Sequence, residues 1–143
     1  MATKESRAYL SHLSKSVSSI GRSLDSSLLA EGCTSYVKTI YIGYEIDGEM
    51  VAALYGRPDH IELALALAED DPNRTLKDAT YLTWRTLPVA VDVRTADEAA
   101  AAQDLIRRAC ERVRSKSHDV HRDNEHFVRS RQERRSRMDE ESS

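Results

Sequence analysis

The densest set of side chains able to ligate a metal lies towards the C-terminus, where His118, His121 and His126 are interspersed with Asp119, Asp123 and Glu125. On a helix, residues three or four apart share a face, so His118 would stand beside His121, and His121 beside Glu125, within reach of a transition ion. No apolar shell accompanies them in sequence, and metal ligands are ordinarily oriented by such a shell, so no metal site is expected there. Asp59, Glu62 and Asp92 form a second set. Pro58-Asp59 followed by Glu62 is a fragment of the nuclease pattern in which two acids hold a divalent ion and a lysine supports the attacking water. Here the lysine position is Ala64, and Asp92-Val93-Arg94 is an imperfect substitute. Glu69, Asp70 and Asp71 are contiguous, whereas cation loops need alternately spaced oxygens, so they read as a solvated acidic loop. The sequence contains no G-x-S-x-G, P-loop or G-x-G-x-x-G, and neither cysteine has a histidine partner set by local pattern. The expectation is a protein that is not an enzyme and carries neither metal nor cofactor.

The arginines Arg129, Arg131, Arg134, Arg135 and Arg137 suit a different ligand. The guanidinium fork pairs with phosphate through two hydrogen bonds, and no aromatic residue interleaves with this run, which predicts backbone contact without base readout. Tyr41, Tyr55 and Trp84 are the surface aromatic candidates, with Tyr36 and Tyr44 near them in the same sheet. Trp84 reads first as an anchor at the rim of the core, because the chain has a single Trp and a single Phe, and second as an exposed stacking platform.

These groups must be positioned by the elements between them. From Lys4 to Leu29 the apolar residues Leu10, Leu13, Val17, Ile20, Leu24 and Leu28 recur at helical spacing, with Gly21 as a candidate divide and Gly32 as the C-cap. The serine-rich half up to residue 19 is expected to be a looser extension, available for pairing with a second copy through Leu10, Leu13 and Val17. Ile40, Ile42, Tyr44 and Ile46 fall on one parity, which predicts a strand through residues 36–46. Asp47-Gly48 supplies the positive-φ pair of a type I′ hairpin turn, Met50 to Tyr55 the return strand, and Ile61 to Leu67 a third. Asp71-Pro72 has the form of a helix start running to Lys77. Leu87 to Val93 is a fourth strand that Pro88 forces to begin late or to lie on an edge. Thr95 and Glu98 make a capping box, opening a helix that lines Ala102, Leu105, Ile106, Ala109, Cys110 and Val113 along one face.

At 143 residues the chain has room for one core. A net charge of −3 provides no global attraction to nucleic acid or anionic membrane, so polyanion binding would have to be local. No apolar run approaches a bilayer span, and the serine-rich start lacks the layout of a secretory signal, so a cytoplasmic location is expected. Cys33 and Cys110 are far apart in sequence and belong to no C-x-x-C unit, which predicts two reduced, partly buried thiols.

The runs KTIYIGYEIDGEMVAALYGRPDHIELALAL, DDPNRTLKDAT and LPVAVDVRTADEAAAAQDLIRRACERV resemble a small bacterial domain family of unknown function called "predicted transport protein". Tyr41, Ile42, Tyr44, Asp71, Pro72, Leu105, Ile106 and Ala109 carry the resemblance, which spans roughly residues 20–113 and departs at Ala53, where an aromatic is usual. It implies an auxiliary domain of regulatory or nucleic-acid-associated type. Together these features predict an α+β domain over 20–113, in which an antiparallel sheet of about four strands has the N- and C-terminal helices packed on one face. Residues 1–19 are its helical extension, and 114–143 are a charged tail, disordered or an extended helix. The function expected is non-catalytic binding or regulation, with nucleic acid met by the tail arginines. The alternatives are a protein-interaction module forming a homodimer through the N-terminal helix, and a metal-dependent hydrolase using Asp59, Glu62 and Asp92.

Overall fold

The computed structural model describes residues 3–82 and 86–123, with side chains as far as residue 116. Trp84, the run Arg129, Arg131, Arg134, Arg135 and Arg137, and His118, His121 and His126 lie outside the described side chains. Met1–Val113 and Arg114–Ser143 are two compact units, and the first contains all the elements that bear on the site.

The first unit opens with α1 (Lys4–Ser11) and α2 (Lys15–Ala30). Thr3 Oγ1 accepts the Ser6 amide at 3.1 Å and caps α1. The long helix expected from Lys4 to Leu29 breaks at residues 12–14, not at Gly21, because Ser14 is extended (φ −58°, ψ 156°). Leu10 and Val17 are buried as deeply as Leu24, so the helical part of the segment up to residue 19 packs on the core and is no loose extension. The stripe foreseen as a surface for a second copy is occupied by the chain's own interior.

Six strands follow where about four were expected: β1 (Thr34–Val37), β2 (Ile42–Ile46), β3 (Glu49–Gly56), β4 (Ile61–Leu65), β5 (Lys77–Asp78) and β6 (Val89–Val93). They form one antiparallel sheet in the order β1-β2-β3-β4-β6-β5. The predicted first strand divides because the chain turns back at residues 38–41, where the Lys38 amide donates to Tyr41 O at 2.9 Å. Ile40 is thereby thrown outward, 59 % exposed, instead of continuing the buried parity. The Asp47-Gly48 turn has the foreseen geometry, with φ of 50° and 78°. The helical turn expected after Asp71-Pro72 is absent. The Asp71 carboxylate instead accepts the Asn73 amide at 3.1 Å, and Lys77 enters a strand. Pro88 precedes β6, which starts late as predicted but is covered on its outer side by β5.

A last helix, α3 (Ala96–Asp123), is opened by Thr95 Oγ1 accepting the Glu98 amide at 3.1 Å, while Glu98 reaches the Arg94 amide at 2.9 Å. Ala99, Ala102, Leu105, Ile106, Ala109, Cys110 and Val113 are buried along its length.

Strand alternation gives the sheet two unlike faces. One carries Ile42, Tyr44, Leu54, Ile61, Leu63, Leu65, Val89, Val91 and Val93 and meets the N-terminal helices: Tyr44 donates to Asp25 of α2 at 2.6 Å. Burial raises the Asp25 carboxyl above its ordinary range, although the bond from Tyr44 opposes it. Across the opposite face one register line crosses all six strands through Tyr36, Gly43, Ala53, Ala64, Ala90 and Lys77. Its middle residues are small. The Tyr36 ring lies directly over Gly43, in the space a Cβ would take, and its hydroxyl reaches Met50 Sδ at 3.2 Å.

Candidate functional site

Next to the line of small residues runs a second, Tyr55, Glu62 and Asp92, in register on β3, β4 and β6. Tyr41 stacks at its end, 5.5 Å from the Tyr55 ring. In strands otherwise made of aliphatic residues, Glu62 and Asp92 occupy spacer positions and therefore face away from the α2 side. Two carboxylates on adjacent strands repel unless cations intervene, and three elements deliver them.

Glu62 Oε1 accepts from Arg57 Nε at 2.9 Å and from its Nη2 at 2.6 Å. Oε2 meets Lys77 Nζ at 2.7 Å and accepts the Tyr81 hydroxyl. Lys77 Nζ also stands 2.9 Å from Asp92 Oδ1, at charge-pair distance but off hydrogen-bond alignment. His60 Nε2 is 3.4 Å from the same oxygen, and its Nδ1 is 2.6 Å from Asp59. Arg94 approaches Asp92 Oδ2 at 3.8 Å. The Arg57 guanidinium lies 5.2 Å from the Tyr55 ring centre, and Lys77 Nζ 5.6 Å from that of Tyr81.

Burial works against ionisation of Glu62, but the bonds from Lys77, Tyr81 and Arg57 outweigh it and hold the carboxyl at about 2. Burial likewise works against the charged Lys77, and Glu62, Tyr81 and Asp92 overcome it, so its pKa is pushed up and the ammonium persists. Burial and the neighbouring Glu62 raise Tyr81. Asp59 is held low by its bond to His60.

The structure thus brings Glu62, Asp92 and Asp59 into one cluster, with the Lys77 ammonium of β5 between Glu62 and Asp92. It does not arrange them as an open metal cradle. Each Glu62 oxygen already has two protein donors, and among the described residues no group of three or more His, Cys, Asp or Glu side chains is placed to hold a metal ion. Asp71, expected to be a solvated acid, is instead sunk against Arg108 of α3. Tyr41 and Tyr55, expected as surface aromatics, are buried, because they pack on each other and the Arg57 guanidinium lies over the Tyr55 ring. Among the described residues the large exposed aromatic is Tyr81.

Sequence reasoning singled out Glu62, Asp92 and Arg94 but missed Arg57, His60, Lys77 and Tyr81 as their partners. A glutamate in Ile-Glu-Leu-Ala-Leu, five residues after an arginine across a tight Pro-Asp turn, was a usable signal for Arg57. Nothing local marked Lys77 and Tyr81, which arrive from a long irregular connection.

No family model, curated protein or solved structure matches this chain. No helix among the described residues is long and apolar enough to cross a membrane.

Proposed function

We propose that this chain is a non-catalytic binding domain that takes the phosphate backbone of a nucleic acid on the sheet end formed by Arg57, Lys77 and Arg94. One observation carries this. The Glu62 carboxylate is sunk, its side chain 4 % exposed, whereas the cations around it remain open at 36 % for Arg57, 39 % for Lys77 and 51 % for Arg94. Solvent therefore meets these cation donors over the sunk Glu62 carboxylate, with the exposed Asp59 carboxylate at the rim and Tyr81, 61 % exposed, as a base-stacking surface beside them. Glu62 fixes Arg57 and Lys77 in place, which lowers the ordering cost of meeting a phosphate. The run Arg129, Arg131, Arg134, Arg135 and Arg137 is a separate contact to the same backbone. A cytoplasmic location accords with this function, and the resemblance to an auxiliary bacterial domain points the same way without adding residues to it.

The test is fluorescence anisotropy of a mixed-sequence single-stranded oligonucleotide titrated with the full chain at low and moderate salt. Binding should weaken steeply with salt, be reduced by Arg94→Ala, and leave the oligonucleotide intact with magnesium or manganese present. Undetectable binding at low salt would refute the proposal. Divalent-dependent cleavage lost in Glu62→Gln would replace it with the hydrolase alternative.

A further inference from the structure

Cys33 and Cys110 are 77 positions apart in sequence, yet their Sγ atoms lie 3.8 Å from each other in the interior. Both are thiols. Their spacing in sequence predicts two separate sulfurs, and the fold instead brings them into contact.

The backbone holds each one firmly. Cys33 stands three residues past the end of α2, where its amide donates to Leu28 O at 3.2 Å and the Gly32 amide to Leu29 O at 3.0 Å, with Gly32 at φ 97°. That paired closure is a Schellman end, which fixes the direction in which the chain leaves the helix. Cys110 sits well inside α3, among the buried Ile106, Ala109 and Val113. Neither sulfur owes its place to a wandering loop. A disulfide needs sulfurs about 2.05 Å apart, so these must approach by less than about 2 Å.

We propose that Cys33 and Cys110 form a reversible disulfide that fastens α3 to the end of α2, with a small-molecule disulfide as oxidant. Cys33, the less buried of the two, loses its proton and attacks the small disulfide, forming a mixed disulfide and releasing one small thiol. Cys110 then gives up its proton and attacks the Cys33 sulfur, forming the internal bond and releasing a second thiol. The protein is oxidised by two electrons, the reagent is reduced by two, and both protons leave on the released thiols. Closing so long a loop restricts the unfolded chain far more than the native one, so the bridge stabilises the fold. This staple is independent of the cationic end of the sheet and stands whether or not that surface binds phosphate.

The experiment equilibrates the full chain with mixtures of oxidised and reduced glutathione, then quenches with acid, alkylates in denaturant and measures intact mass. The expected product is a monomer lighter by two hydrogens, carrying no alkyl group, whose peptide map joins residues 33 and 110. Its urea midpoint should exceed that of the reduced chain. Cys33→Ser and Cys110→Ser variants should yield no such species. Alkylation of both thiols at every glutathione ratio would overturn the proposal, as would a bridge found only between two chains. A bridge that lowered the urea midpoint would overturn it too, since the native spacing would then resist closure.

Discussion

Glu62 and Asp92 face each other as register partners on β4 and β6, and a single ammonium, that of Lys77, stands 2.7 Å from one carboxylate and 2.9 Å from the other. Removing that ammonium leaves like charges on neighbouring strands. Breaking a fully buried pair costs about 3–5 kcal/mol; Lys77 is half-exposed and solvent screens it, so Lys77→Met should cost about 1–3 kcal/mol in urea unfolding. Adding Glu62→Gln to that variant should recover part of the loss, giving a double change milder than the sum of the two.

The Glu62 carboxyl titrates at about 2 in the fold against an ordinary 4.5. A group whose folded pKa is depressed contributes stability above its unfolded pKa and loses that contribution as pH falls through the folded value. Unfolding free energy should therefore decline between about pH 5 and pH 2, by up to about 3 kcal/mol from this group. Glu62→Gln should flatten that decline. A shallower slope should persist, because Asp71, whose burial is outweighed by the Asn73 amide and Arg108, is also held low.

Tyr36 covers Gly43 so closely that an added Cβ would occupy the ring's own position. Gly43→Ala should displace the ring from the sheet edge and break its contact with Met50, costing about 1–3 kcal/mol. In a Tyr36→Ala background the same substitution should cost much less. Chemical denaturation of the four-member cycle checks both statements.

Arg57 and Arg94 should separate stability from binding. Arg57 supplies two of the four donors on a buried carboxylate, so Arg57→Ala should lower the melting temperature as well as binding. Arg94 touches Asp92 only at 3.8 Å and is half-exposed. Arg94→Ala should leave the melting temperature nearly unchanged and reduce the salt slope for a single-stranded oligonucleotide by about 0.7, the share of one phosphate contact.

Periodicity and turn chemistry made much of this fold legible before any coordinates. The positive-φ pair at Asp47 and Gly48, the parity of Ile61, Leu63 and Leu65, and the Thr95 capping box each depend on neighbours in the chain, and each stands as expected. The failures have local as well as long-range causes. Ile40 matched the strand parity but sits in a turn, because hydrogen bonding between Lys38 and Tyr41 decided the backbone there. Asp71-Pro72 read as a helix start, yet Arg108 from α3 and the Asn73 amide claimed the carboxylate. The candidate site was half visible: Glu62 and Asp92 were conspicuous as charges within aliphatic strands. Lys77 and Tyr81 reach them from a connection whose sequence gives no hint of its destination, and the contact of Cys33 with Cys110 was equally hidden.

The proposed phosphate-binding surface is best tested by amide chemical-shift mapping of the isotopically labelled chain during titration with a short single-stranded oligonucleotide. The account predicts saturable, salt-sensitive shifts at Arg57, His60, Lys77, Tyr81 and Arg94, with little change along β1 or α2. Saturable binding that left those five amides unmoved would contradict it.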